Sequence, residues 1–145
     1  MSDLEETRVL RVSSLYRTEP FGMEDQDWFV NAAAEIRTLL PPRRLLEALL
    51  HIEDAMGRTR EKRWGPRVID LDLLFYGQSI LSEPGLTIPH PELHKRRFVL
   101  VPMTEIAPYF IHPVYGISMS GLLDRLTRDK ETVELLGEAV VPFHR

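Results

Sequence analysis

An α+β fold with a largely antiparallel sheet is predicted by the order of strand-like and helical segments. Two runs with strand character come first, a segment of helical period follows, and a further strand-like run comes after it. The chain has 145 residues, of which 43% are hydrophobic and 28% charged. That length suits a single domain over 1–145, and that composition argues against general disorder.

Residues 8–16, RVLRVSSLY, read as a strand from their β-branched and aromatic content. After the turn-rich TEPFGMEDQD, the alternation from Phe29 to Leu39 puts Val30, Ala32, Ala34 and Ile36 on one face. Phe29, Asn31, Glu35 and Arg37 fall on the other, which is the wet one. From Pro42 the period changes. Leu45, Leu49, Ile52 and Met56 are spaced as one stripe of an amphipathic helix, which Gly57 can end.

A basic loop, RTREKRWGPR, spans 58–67, and VIDLDLLFY, from Val68 to Tyr76, reads as a third strand before a turn at Gly77. A proline-rich stretch follows. Phe98 to Met103 is another short apolar run, and Ser118 to Leu126 reads as a closing helix.

Composition narrows the function. With 18 Lys plus Arg against 22 Asp plus Glu, the formal net charge is −4, unlike a dedicated nucleic-acid binder. The absence of cysteine removes disulfides, thiolate nucleophiles and thiolate zinc sites, and fits a cytoplasmic location. No apolar run approaches a membrane span, and the acidic start MSDLEETRVLRV is unlike a signal peptide.

The sharpest local signal is DLD. On a strand, Asp70 and Asp72 project from one face roughly 6.5 to 7 Å apart. Such a pair suits Mg²⁺, which takes one or two carboxylates together with phosphate oxygens. Two solvated acids on a wet face are the plainer reading of an isolated DxD. The neighbouring loop favours the first reading, because Arg58, Arg60, Lys62, Arg63 and Arg67 supply cations for phosphate oxygens. Gly65 and Pro66 restrict the chain just before Arg67. There is neither a GxxxxGK[ST] loop nor a GxGxxG fingerprint, so a nucleotide site here is of another kind.

Four strings in this order, TEPFGMEDQDWFVNA, HIEDAMGR, RWGPRVIDLDLLFYG and LTIPHPELHKRRFVLVPMTEIAP, resemble the hydroxymethyldihydropterin pyrophosphokinases of folate biosynthesis. The resemblance runs from about Arg11 to about Leu126. It implies a ferredoxin-like αβα sandwich and transfer of pyrophosphate from ATP to the hydroxymethyl group of a reduced pterin, releasing AMP.

Carried over residue by residue, it implies a metal pair at Asp70 and Asp72 holding Mg²⁺, with two ions, and catalytic arginines at Arg58 and Arg67. On the ATP side it implies Glu53, Arg58, Arg60, Trp64, Arg67, Leu73, Thr87, His90 and Arg96. For the pterin it implies Thr18, Glu19 and Phe21 through their backbone, rings from Phe29 and Phe98, and the amide of Asn31. Leu50 and Pro91 stand where family members can have a nucleoside-contacting glutamine and a phosphate-contacting tyrosine. The resemblance also implies a functional link to dihydropteroate synthase, while the charge balance and the lack of a long apolar run argue against a nucleic-acid or membrane partner.

The family opens with a strand, a GSNLGD-like turn and a helix, and the match here starts at the second strand. The expectation is therefore an N-terminally truncated domain. Its alternative function is that of a catalytically weak nucleotide or pterin binder that takes its first strand from a partner.

Overall fold

Ser13 and Ala33 exchange hydrogen bonds at the point where two predicted strands break. The Ser13 N–H donates to the Ala33 carbonyl at 2.8 Å, and the Ala33 N–H donates to the Ser13 hydroxyl at 2.9 Å. Residues 8–16 thus become β1 (Thr7–Val12) and the start of β2 (Leu15–Thr18), while the run from Phe29 becomes β3 (Phe29–Asn31) and β4 (Ala34–Thr38). β1 pairs with β4, and β2 with β3. A strand divided between two sheets does not present one continuous face. Of the expected apolar side, Val30, Ala32 and Ala34 are exposed and Ile36 is half-buried.

The computed structural model describes residues 6–18, 29–60, 70–126 and 132–138, with 58–60 as backbone only. The chain forms two compact units, Met1–Arg8 with Arg37–His90, and Val9–Ile36 with Pro91–Arg145.

In the first unit, Pro42 opens helix α1 (Pro42–Arg60), where its missing N–H costs nothing because first-turn donors lack intrahelical partners. Leu45 and Ala48 are buried along it. The helix passes through Gly57, which does not adopt the positive φ of a helix-ending glycine, so the basic stretch begins as helix. A hairpin, β5 (Leu81–Glu83) and β6 (Leu86–Ile88), pairs antiparallel around Pro84 and Gly85. Gly85 has φ +76°, which suits the glycine position of a Pro-Gly turn. That turn signal lay inside the proline-rich stretch. The hairpin is fastened to α1 by Arg43, which donates to the Glu83 carboxylate at 2.8 Å and to the Pro84 carbonyl at 3.0 Å.

Residues 70–76 carry no ladder, which differs from the expected third strand; Val68 and Ile69 lie outside the described residues. Alternation alone does not make a strand, because the backbone must find a strand partner. Here the groups go elsewhere. The Leu71 N–H donates to Glu53, the Leu74 carbonyl accepts from the His90 N–H at 2.9 Å, and the Tyr76 carbonyl accepts from the Ser79 N–H at 3.0 Å. The Tyr76 hydroxyl closes the segment onto the Leu40 carbonyl at 2.7 Å. The turn at Gly77 is present, with φ +56°.

In the second unit, β2 is the centre of a three-stranded antiparallel sheet, flanked by β3 and by β7 (Val133–Gly137). The apolar run after Arg96 is a helix, α2 (Arg97–Ile106). Leu100, Met103 and Ile106, three residues apart, form its buried stripe. A six-residue apolar run fits either period, and packing against the sheet and the following helix selects the helical one. The closing helix α3 (Met119–Asp124) is present, capped by the Ser118 hydroxyl accepting from the Gly121 N–H at 3.0 Å. The α+β class stands, and the β2–β3, β2–β7 and β5–β6 pairs are all antiparallel.

Candidate active site

The first unit holds most of the residues expected on the nucleotide side. Asp70 and Asp72 are exposed while Leu71 and Leu73 are half-buried, so the acids alternate with the anchored residues even without a ladder. Glu53, half-buried on α1, accepts from the Leu71 N–H and so sits against the main chain between the two acids. Thr87 is exposed on β6 opposite Ser82. His90 is half-buried, its N–H held by Leu74.

Exposed carboxylates are hard oxygen donors of the kind Mg²⁺ takes, and two of them leave room for water and phosphate in its shell. The pair therefore fits a magnesium ion. Among the described residues no group of three or more His, Asp or Glu could hold a metal alone. The side chains of Arg58 and Arg60, and all of Trp64 and Arg67, lie outside the described residues, as do Glu19 and Phe21.

The second unit gathers the remaining residues expected on the pterin side around β2 and β3. Thr18 pairs with Phe29 and Tyr16 with Asn31 in the β2–β3 register, which puts these four side chains on one face. Thr18 is buried, at 4% exposure, and its hydroxyl accepts from the Asn31 amide nitrogen at 3.3 Å, while Phe29 stays 58% exposed. Asn31 is thus oriented by a buried partner, and the neighbouring ring remains open to a planar ligand. Phe98 lies in the first turn of α2, which packs against β2, β3 and β7. The Arg96 guanidinium lies 5.7 Å from the centre of the Phe98 ring, within cation–π range.

One constellation escapes sequence reasoning. Glu105 on α2 accepts from the Ser14 N–H at 3.0 Å, the Ser14 hydroxyl at 2.9 Å and the Tyr16 hydroxyl at 2.7 Å. Glu105 is exposed; the slight burial of its carboxylate would raise its pKa, but the hydrogen bonds from Tyr16 and Ser14 outweigh that and hold it below the usual carboxylate value. Burial first, and then the bond to Glu105 and its charge, push the Tyr16 hydroxyl up to about 12. No local pattern links positions about ninety residues apart, although Ser14 and Tyr16 show the i, i+2 spacing of one strand face.

The 7,8-dihydro-6-hydroxymethylpterin-pyrophosphokinase family model matches residues 1–108. A 2-amino-4-hydroxy-6-hydroxymethyldihydropteridine pyrophosphokinase of Methylorubrum extorquens is 55% identical over 101 residues, covering 70% of this chain and 64% of the relative. The protein of that name from Haemophilus influenzae is 46% identical over 113 residues, covering 78% of this chain and 71% of the relative. The Bacillus subtilis protein is 50% identical over 98 residues, 68% of this chain and 59% of the relative. The matches thus span about three fifths to seven tenths of these relatives' length. With the family model matching most of its length, the chain belongs to the 7,8-dihydro-6-hydroxymethylpterin pyrophosphokinase family.

Proposed function

We propose that this protein transfers pyrophosphate from ATP to the hydroxymethyl group of 6-hydroxymethyl-7,8-dihydropterin and releases AMP. The observation that most supports this is the family match over residues 1–108, which includes the acid pair and the Phe29, Asn31 and Phe98 positions. In the reaction the pterin hydroxymethyl oxygen attacks the β-phosphorus, the bond from that phosphorus to the α-phosphoryl oxygen breaks, and the hydroxyl proton passes to solvent.

Asp70 and Asp72 would hold Mg²⁺, as a pair of ions. When bound, the metal neutralises triphosphate charge and lowers the pKa of the attacking hydroxyl. Arg58 and Arg67 act in catalysis and, with Arg60, His90 and Arg96, bind phosphate oxygens; guanidinium forks do so bidentately. Trp64, Leu73, Thr87 and Glu53 complete the nucleotide side. Phe29 and Phe98 stack on the pterin, the Asn31 amide reads its edge, and Thr18, Glu19 and Phe21 border it through their backbone. Positioning and neutralised charge carry this chemistry, so no activated protein nucleophile is needed.

The single-domain reading of residues 1–145, the ferredoxin-like sandwich and a cytoplasmic location belong to the same proposal. The product carries a diphosphate leaving group on the pterin methylene carbon, which suits consumption by dihydropteroate synthase. Among the described residues no helix is long and apolar enough to cross a membrane.

The test is AMP release from ATP and the dihydropterin with Mg²⁺ present, alongside calorimetric titration of each substrate. Phe29→Ala or Phe98→Ala should weaken pterin binding by about 1–3 kcal/mol, by analogy with stacking on nucleobases, and change ATP binding less. Arg67→Ala should slow transfer more than it weakens pterin binding. Binding of both substrates without AMP release would leave only the weak binding-module reading.

A further inference from the structure

Glu105 is seven residues beyond Phe98 on α2, and seven residues bring a helix back to within about 20° of the same direction. The two side chains therefore share one stripe, two turns apart. At the Glu105 end the stripe meets the start of β2, where the carboxylate takes three hydrogen bonds, from Ser14 just before the strand and from Tyr16 on it. Tyr16 stands opposite Asn31 in register and two residues before Thr18, so it projects from the same sheet face as Thr18, Phe29 and Asn31. The tie joins the Glu105 end of this stripe to the strand that carries Tyr16 and Thr18.

We propose that Glu105, acting through Tyr16 and Ser14, is a positioning residue for the pterin site: it aims Phe98 at the sheet face that carries Phe29 and Asn31. This rests on the pterin reading above and adds to it a residue that touches no substrate. A neutral side chain of the same length keeps an acceptor for Tyr16 but carries no charge, whereas alanine removes the tie. A second backbone link, from the Arg11 guanidinium to the Ile106 carbonyl at 2.9 Å, holds the end of α2 independently of Glu105. Loss of the carboxylate should therefore tilt or rotate the helix without detaching it.

The experiment compares Glu105→Ala, Glu105→Gln and Tyr16→Phe with the unaltered protein, reading KM for pterin, KM for ATP and thermal midpoint separately. Glu105→Ala should raise the pterin KM by about tenfold or more, as misplacement of a binding group does, and leave the ATP KM within about twofold. Glu105→Gln should recover part of that loss, and Tyr16→Phe should reproduce part of it. Combining Tyr16→Phe with Glu105→Ala should add little to Glu105→Ala alone, because both act through one contact. A lowered thermal midpoint with both KM values unchanged, or equal losses for both substrates, would overturn the assignment.

Should Glu105→Ala not fold, Tyr16→Phe decides, since it removes one hydroxyl and keeps the ring; an unchanged pterin KM there overturns the inference. Phe29→Ala separates the positioning role from pterin binding itself. If it weakens pterin binding while Glu105→Ala and Tyr16→Phe do not, the positioning role alone fails. If it leaves pterin binding unchanged, the pterin reading fails first.

Discussion

The backbone N–H of Leu71 donates a hydrogen bond to the Glu53 carboxylate, so a helix side chain holds the main chain midway between Asp70 and Asp72. In a segment without a ladder, such a bond does work that a neighbouring strand does elsewhere. Glu53→Ala leaves the half-buried Leu71 N–H without this acceptor and should destabilise the protein by about 1–3 kcal/mol. Glu53→Gln, which retains an acceptor oxygen, should recover most of it. Urea unfolding of the two variants checks this, and equal loss in both would mean that charge and not the hydrogen bond matters.

Asp70 and Asp72 are exposed, so replacing either should cost little stability while removing a proposed metal ligand. Asp70→Ala or Asp72→Ala should reduce AMP release at saturating Mg²⁺ by at least about a hundredfold. The thermal midpoint should barely move. Mn²⁺ titration followed by electron paramagnetic resonance gives a second readout, in which both variants should bind the ion more weakly.

Three groups make stability depend on pH. Burial, and then the nearby His94, lower the pKa of His112, whose Nδ1 accepts the Val114 and Tyr115 N–H groups. The unfolded chain therefore binds the proton more readily, and stability present above the ordinary value of 6.5 should fall as pH drops below it. Glu105 acts in the same direction below its ordinary 4.5. Tyr16 acts at the alkaline end, where its contribution should be lost as pH rises from 10 through about 12. Thermal midpoints of His112→Asn, whose side-chain oxygen can stand in for Nδ1, should show a flatter slope below pH 6.5 than the unaltered protein.

Two helical glycines should respond oppositely to alanine. At Gly57 an added Cβ meets nothing within 4 Å, so Gly57→Ala should stabilise by about 0.5–1 kcal/mol through reduced backbone entropy in the unfolded chain. At Gly121 a Cβ would lie 2.8 Å from the Ile117 Cγ2 and 3.2 Å from the Ser118 hydroxyl that caps the helix. Gly121→Ala should forfeit that gain and destabilise. Chemical denaturation distinguishes the pair, and a stabilised Gly121→Ala would show that Ile117 moves aside freely.

The sequence by itself determined the local events. Pro42 starts a helix because of its fixed φ, Ser118 caps one through its hydroxyl, and Gly77 turns the chain because it tolerates positive φ. The alternation of Asp70 and Asp72 with leucines was equally legible, because exposure there follows side-chain type. Only the tertiary structure decided whether Phe98 to Met103 is helix or strand, since a short apolar run satisfies both periods until a packing surface selects one. It likewise decided that the first strands break at Ser13 and Ala33, that Glu53 meets Leu71, and that Glu105 meets Tyr16. Each of those is a hydrogen bond between groups far apart in the chain. Residue type shows that such a group needs a partner, and only folding shows which one it finds.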